Sequence, residues 1–255
     1  MSKLQIYKYF RAYLNVGVML FYVVPVMIYF YFVSHFRSFR FEKALRRHCR
    51  ILFHLLGVNV IVKGNLQPLY RQSVLIMPNH ISYLDLPLLF GYLKVPMCGL
   101  EAHSHFRWWF YGKIVKRIGN IPVDRKNPIQ SFHASDQLQF ISPEKQIVIF
   151  PEAGRSRDGQ LLGLKRMPFM VAKHLNRPVL PVFIYGMADV SSKRSWLIFP
   201  GEIVLFVRPV IESSQVEQCT LDELLDRTRK ELSFAPFTRS GSSGGIYSNE
   251  KSNES

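Results

Sequence analysis

The sequence predicts an α/β fold entered through a hydrophobic N-terminal helix, and three observations carry that reading. From Ala12 to Val33 no residue is charged, and most are large and apolar. After Gly57, short apolar runs alternate with stretches of helical periodicity, the pattern of strands and helices that fold into one sheet with helices packed on it. Polar and charged segments follow several of the apolar runs, at the strand ends where α/β proteins collect their sites.

The uncharged N-terminal stretch would be about 33 Å long as a helix, enough to cross a hydrocarbon core of about 30 Å. It is longer than a signal-peptide core and lacks a small-x-small cleavage site. Pro25 and several tyrosines allow a re-entrant path beside a spanning one. Lys3, Lys8 and Arg11 precede it, and Arg37, Arg40, Lys43, Arg46, Arg47 and Arg50 follow. Both flanks are basic, so charge does not choose an orientation. The second basic group interleaves with Phe36, Phe39, Phe41, Leu45, Ile51, Leu52 and Phe53. Two readings fit this pattern: an amphipathic helix on anionic headgroups, or a core helix with a solvated basic face.

Strands are expected over Asn59–Lys63, Ser73–Met77, Val95–Gly99, Gly119–Val123, Gln146–Phe150, Val179–Ile184 and Glu202–Val207. Helices are expected over Tyr83–Tyr92, Ser104–Lys116, Pro128–Ile141, Met167–Leu175 and Leu221–Leu232. From Thr238 the chain is rich in Ser, Gly, Asn and Glu, which suits a disordered tail. The organisation is therefore an anchoring helical segment over 1–56, a sheet-bearing domain over 57–237 and a tail over 238–255.

With 33 Lys and Arg against 18 Asp and Glu, the net charge is +15. That excess calls for a polyanionic partner. A hydrophobic anchor beside basic residues directs it to an anionic membrane surface, and no nucleic-acid-binding motif competes. Cys49, Cys98 and Cys219 are scattered and odd in number, which argues against a disulfide framework or a zinc site.

Four segments stand out. Asn79-His80-Ile81-Ser82-Tyr83-Leu84-Asp85 follows the apolar run Val74–Met77. A His steadied by a carboxylate is a general base for an alcohol near neutral pH, although a helix cap at Asn79 or Ser82 accounts for the same spacing. Gly119-Asn120-Ile121-Pro122-Val123-Asp124-Arg125 runs a strand into an Asp-Arg pair. Phe150-Pro151-Glu152-Ala153-Gly154-Arg155-Ser156 delivers a carboxylate and a guanidinium into a Gly-containing loop, with Arg157, Lys165 and Arg166 close behind. Guanidinium forks match phosphate oxygens. Arg177-Pro178-Val179-Leu180-Pro181-Val182 brackets a strand with prolines and by itself carries no chemistry.

In this order the segments resemble the four blocks of the glycerolipid acyltransferase superfamily, the 1-acylglycerol-3-phosphate acyltransferases and their relatives. The first block, N-H-x-S-x-x-D, is matched in full. The second, G-x-I-x-x-D-R, is matched by Gly119, Ile121, Asp124 and Arg125. The third is usually F-P-E-G-T-R-S, and here Ala153-Gly154 stands in place of Gly-Thr. The resemblance spans about Val58 to Arg208 and implies a mixed, mostly parallel sheet flanked by helices.

It also implies a membrane enzyme that moves an acyl group from acyl-CoA or acyl carrier protein to the hydroxyl of a lysophospholipid. His80 would be the base and Asp85 its orienter. Arg125 and Arg155 would hold the acceptor phosphate, and Glu152 would position the loop or the glycerol hydroxyls. Gly154 and Ser156 would complete that loop, and Lys165 and Arg166 would add phosphate contacts. No metal or other cofactor is expected. Cytosolic thioester donors place the reacting centre on the cytosolic side of the membrane, the inner membrane in a bacterium. Three alternatives remain: another acceptor (a different lysophospholipid, glycerol 3-phosphate or an amino-lipid), a non-catalytic lipid-binding protein, and a hydrolase.

Overall fold

The computed structural model describes residues 2–36, 40–124, 126–142 and 144–233. Arg125, Arg37, Phe39 and the tail over 238–255, all singled out by the sequence, lie outside the described residues.

The apolar N-terminus forms one helical rod, Lys3–Val33. Helix α1 (Lys3–Val18) passes through a π-helical turn (Met19–Val23) into α2 (Val24–Val33). That turn stands just before Pro25, which has no N–H to give to the preceding turn. One stripe of the rod is buried or packed on the core: Ala12, Asn15, Val18, Tyr22, Val26, Phe30 and Val33. Their spacing of three and four residues keeps the stripe on one face from Ala12 to Val33. Asn15 is fully buried, and its amide donates to the carbonyls of Leu56 (3.0 Å) and Ile198 (2.9 Å). Arg11 donates to the carbonyl of Leu55 at 3.0 Å. The opposite side exposes Leu4, Phe10, Leu14, Leu20, Phe21 and Phe32. The rod thus lies along the body of the protein.

Next come α3 (Phe41–Leu55), β1 (Val58–Gly64), α4 (Pro68–Arg71), β2 (Leu75–Pro78), α5 (Asp85–Leu93) and β3 (Met97–Ala102). A 3₁₀ turn (His103–Arg107) leads to α6 (Trp109–Ile118) and β4 (Ile121–Val123). Helix α7 (Pro128–Ser135), a second 3₁₀ turn (Asp136–Phe140), β5 (Gln146–Val148), α8 (Arg166–Leu175), β6 (Val179–Tyr185), α9 (Met187–Val190), β7 (Gly201–Val207), α10 (Ser213–Gln218) and α11 (Leu221–Leu232) complete the order.

The seven strands form one sheet in the order β1-β7-β6-β2-β5-β3-β4. Every pairing is parallel except β6 with β7. This is the mixed, mostly parallel sheet expected. The loops after β2, β5, β3, β4 and β6 consequently leave along one edge; the first and third blocks lie in the loops after β2 and β5, and the second runs through β4.

Two expected helices each divide. Ser104–Lys116 becomes a 3₁₀ turn and α6, because Trp108 is extended (φ −70°, ψ 127°) and caps a fresh helix. Pro128–Ile141 becomes α7 and a 3₁₀ turn. The expected strand Val95–Gly99 runs later, over Met97–Ala102. Helix α3 buries Phe41, Cys49, Leu52 and Phe53 in the common core. By packing it belongs to the sheet-bearing body, with its basic face outward, although the sequence assigned it to the anchoring segment.

Candidate active site

Pro78 is the last residue of β2 and pairs with Val182 of β6. Beyond it, the buried Asn79 side chain continues the pairing in place of backbone. Its Oδ1 accepts from Ile184 N–H at 2.6 Å and its amide donates to the Ile184 carbonyl at 3.1 Å. The chain then turns, and Asp85 opens α5. A carboxylate at a helix N-terminus is favoured by the free N–H groups there.

Asp85 is fully buried, and its Oδ2 lies 2.8 Å from Nδ1 of His80. The same oxygen accepts from the N–H groups of Ile81 (2.7 Å) and Ser82 (2.9 Å). The other oxygen, Oδ1, is buried without a hydrogen-bond partner. An ionised carboxylate only accepts, so the pairing assigns the imidazole hydrogen to Nδ1 and leaves the Nε2 lone pair free. The ring stacks on Phe150, centroids 4.0 Å apart and planes 26° apart. Its side chain is 15% exposed, enough for a ligand to reach it.

The loop after β5 fixes the backbone of His80 from both sides. Glu152 Oε1 accepts from His80 N–H at 2.6 Å, and Oε2 accepts from Leu162 N–H at 2.6 Å. Ser156 N–H donates to the His80 carbonyl at 2.8 Å. Both oxygens of Glu152 thus hold backbone. Burial pushes its carboxyl up to about 7, against the lowering effect of the two N–H donors, and the nearby Asp85 adds to the rise.

The Arg155 guanidinium lies 3.5 Å above the ring of Tyr83, a cation–π contact. It ties the third block to the first and holds a cation beside the His80 loop. Ala153 is left-handed, with φ +52°, a conformation that glycine adopts without a Cβ penalty. A Cβ at Gly154 would meet nothing within 4 Å. The glycine of the usual Gly-Thr pair would therefore suit residue 153 and its threonine would fit at 154.

The other proposed contacts divide. The Ser156 hydroxyl is engaged within its own loop, accepting from Gly159 N–H at 2.9 Å and meeting Asp158 Oδ1 at 3.2 Å. Lys165 caps α8 and is exposed. Arg166 turns to Asp222 of α11, where both are solvated. Asp124 accepts from Lys126 N–H at 2.9 Å.

Sequence reasoning missed Tyr83, whose signal is that it is the one aromatic residue between Asn79 and Asp85. It also missed a second His–carboxylate pair at the end of β3, His105 Nδ1 with Glu101 Oε1 at 2.5 Å. Asn120 joins that pair through Glu101 Oε2 at 3.1 Å. Glu101 and His105 are four residues apart, but a strand-to-turn junction hides the contact from periodicity. The three cysteines are free and buried. Burial pushes the thiols of Cys49 and Cys98 up to about 12, so neither is a thiolate near neutral pH. Among the described residues no group of three His, Cys, Asp or Glu side chains converges to hold a metal ion.

Residues 58–185 match the family model described as Acyltransferase. The chain is 28% identical over 199 residues to a 1-acyl-sn-glycerol-3-phosphate acyltransferase of Borreliella burgdorferi, covering 76% of this chain and 78% of that protein. It is 24% identical over 212 residues to 1-acyl-sn-glycerol-3-phosphate acyltransferase alpha of Homo sapiens, covering 80% and 74% respectively. Its fold is similar to the crystal structure of the 1-acyl-sn-glycerophosphate (LPA) acyltransferase PlsC from Thermotoga maritima. The TM-score is 0.75 at 19% identity, over 90% of this chain and 94% of that one.

Two outcomes follow from the third-block loop. Glu152→Gln leaves one backbone N–H without an acceptor and should destabilise the protein by about 1–3 kcal/mol. A carboxyl whose pKa is raised on folding adds stability below its ordinary value of 4.5 and loses it as pH rises through about 7. The stability of wild type relative to this variant should therefore fall between pH 4.5 and 7, and unfolding curves that differ by a constant amount across that window would contradict the assignment. Ala153→Gly should relieve the left-handed strain and raise stability by about 1 kcal/mol, measured as a shift in Tm.

Proposed function

This chain belongs to the Acyltransferase family of glycerolipid enzymes, and from that premise we propose that it moves a fatty acyl group from a thioester to the free hydroxyl of 1-acylglycerol 3-phosphate, making phosphatidate. The observation that carries the reading is the His80–Asp85 pair: a buried carboxylate on Nδ1, an available Nε2, and the Arg155 cation on the adjoining loop.

In this mechanism His80 Nε2 takes the acceptor's hydroxyl proton as the oxygen attacks the thioester carbonyl. General base catalysis of this kind contributes about 10²–10⁴-fold. A carbon–oxygen bond forms, the carbon–sulfur bond breaks, and the imidazolium returns the proton to the departing thiolate. Asp85 stabilises that imidazolium and keeps the tautomer. Phe150 covers one face of the ring. Arg155, held flat by Tyr83, pairs with the acceptor phosphate, and Arg125 is proposed to join it. Lys165 is a weaker partner from the rim. Glu152 positions His80 through backbone. Coenzyme A or acyl carrier protein carries the donor acyl group, and the chemistry needs no metal.

The membrane supplies the acceptor. Because the Lys3–Val33 rod is docked along the body while its outer stripe is apolar, we infer that it lies in one leaflet, with the reacting centre toward the cytosol. A second reading keeps the chemistry and changes the acceptor to a bulkier lysophospholipid. The open space at Gly154 beside Arg155 favours it.

His80→Ala should abolish transfer, measured as labelled phosphatidate formed from lysophosphatidate and acyl-CoA, while folding and membrane recovery stay intact. Asp85→Asn should lower kcat by about 10²–10⁴-fold. Retention of wild-type turnover by His80→Ala would remove the general-base role. Arg155→Ala should raise KM for a phosphate-bearing acceptor by at least about tenfold and leave a phosphate-free acceptor unchanged, and equal loss on both would sink the phosphate assignment.

A further inference from the structure

Helix α3 carries Lys43, Arg46, Arg47 and Arg50 at spacings of three and four residues, on one face. Arg40 precedes the helix and Lys94 follows the end of α5. Between α2 and α3 lies a cleft of about 550 Å³, lined by Arg40, Lys43, Arg47 and Arg50 with Tyr29 and His48 behind them. A second hollow of about 220 Å³ adjoins it, sharing Lys43 and Arg50 and adding Arg46 and Lys94. Six cations therefore line two adjacent hollows.

Among the described residues no acid neutralises them. Glu42 is the one carboxylate of α3, and it pairs with Lys145 at 2.8 Å. Among the described residues none of the six cations takes part in an ion pair. One atom is costlier still: Nη1 of Arg46 is buried with no hydrogen-bond partner. A buried guanidinium N–H without an acceptor is strongly unfavourable, and guanidinium groups match phosphate oxygens bidentately.

We propose that this cleft binds the phosphate headgroup of an anionic bilayer lipid, as a site separate from the reacting centre. Asp85 opens α5 and Lys94 lies just past its end, so about 13 Å of helix separates the two. The choice of a lipid rests on the wall of the cleft. Tyr29 belongs to the apolar rod, where Tyr29 (42%) and Phe32 (60%) are exposed, and Phe36 just beyond it is 64% exposed. An amphiphile whose phosphate enters the cleft keeps its chains beside that apolar surface, which a soluble phosphate ester has no means to use. Gly91 keeps the site compact: a Cβ there would meet Arg50 Cγ and Cys49 Cβ at 3.3 Å, so α5 sits directly against the basic helix. The inference requires the rod to meet a bilayer and does not depend on which acceptor is acylated.

The test uses the full chain in nanodiscs of phosphatidylcholine containing about 20% phosphatidylglycerol, with retained lipid counted by native mass spectrometry. Wild type should keep one phosphatidylglycerol. Arg46→Gln/Arg50→Gln should lower that occupancy at least about tenfold, with nanodisc incorporation and acyl transfer in pure phosphatidylcholine unchanged. Arg227→Gln/Lys230→Gln on α11 removes the same charge elsewhere and should keep the lipid. Equal loss in both variants would mean diffuse attraction and overturn the proposal. Displacement of the lipid by millimolar inorganic phosphate or coenzyme A would show a soluble phosphate site and overturn it as well. If the first variant misfolds, Lys43→Gln/Lys94→Gln, both at exposed side chains, gives the same readout, and undiminished lipid retention there overturns the proposal. A wild type that enters nanodiscs yet keeps no anionic lipid fails this inference alone.

Discussion

Asp85 is a carboxylate with no access to water and no formal cation beside it beyond what His80 gains on protonation. Such a group is tolerated only where hydrogen bonds replace its hydration. All three that it has come from residues 80 to 82, and all converge on one oxygen. The shape of the loop is therefore dictated by the need to satisfy the charge. The same bonds set the imidazole tautomer and aim the ring. A change that relaxed this loop would at once leave a buried charge uncompensated, and that cost keeps the geometry single-valued. The second buried carboxylate, Glu152, works differently. It grips backbone on two loops, and its raised pKa is the mark of a group held for position with little solvent to support its charge.

The parallel part of the sheet makes this convergence possible. β2, β5, β3 and β4 all run the same way, so blocks far apart in sequence emerge side by side. A 72-residue separation between His80 and Glu152 closes into one hydrogen bond because β2 and β5 are neighbours. The fourth block, on β6, contributes through backbone: Ile184 receives Asn79 and so locks the turn that presents His80.

Much of this was legible in the sequence. Strands buried on both faces are written as unbroken apolar runs such as Val74–Met77 and Ile147–Ile149, and their positions were read within a few residues. The His80–Asp85 contact was legible because both partners lie in one loop. The stack of Arg155 on Tyr83 was not, since it joins two loops and depends on strand order. Nor was the reversal at β7, because an antiparallel pair and a parallel pair bury the same kinds of residue. The basic stretch after the anchor was ambiguous for a related reason: an amphipathic period is the same whether the apolar face meets lipid or protein. Phe53, fully buried in the core, decides it for α3. The swap at Ala153-Gly154 could be seen but not weighed, since only the backbone reveals that residue 153 is left-handed.

The seam along the Lys3–Val33 rod has one more consequence. A helix joined to a rigid body by a flexible tether can sink, tilt and spin freely, and the body then meets the lipid at any height. Here Asn15 near the middle and Phe30 near the C-terminal end are both locked into the body, which removes that freedom from the docked stretch. In the proposed membrane arrangement the depth and roll of the whole molecule are set together, and the imidazole would be held at one altitude above the acyl chains. The rod acts as a keel, and turnover would then depend on how many acceptors share the plane of the bilayer, counted per unit area instead of per litre.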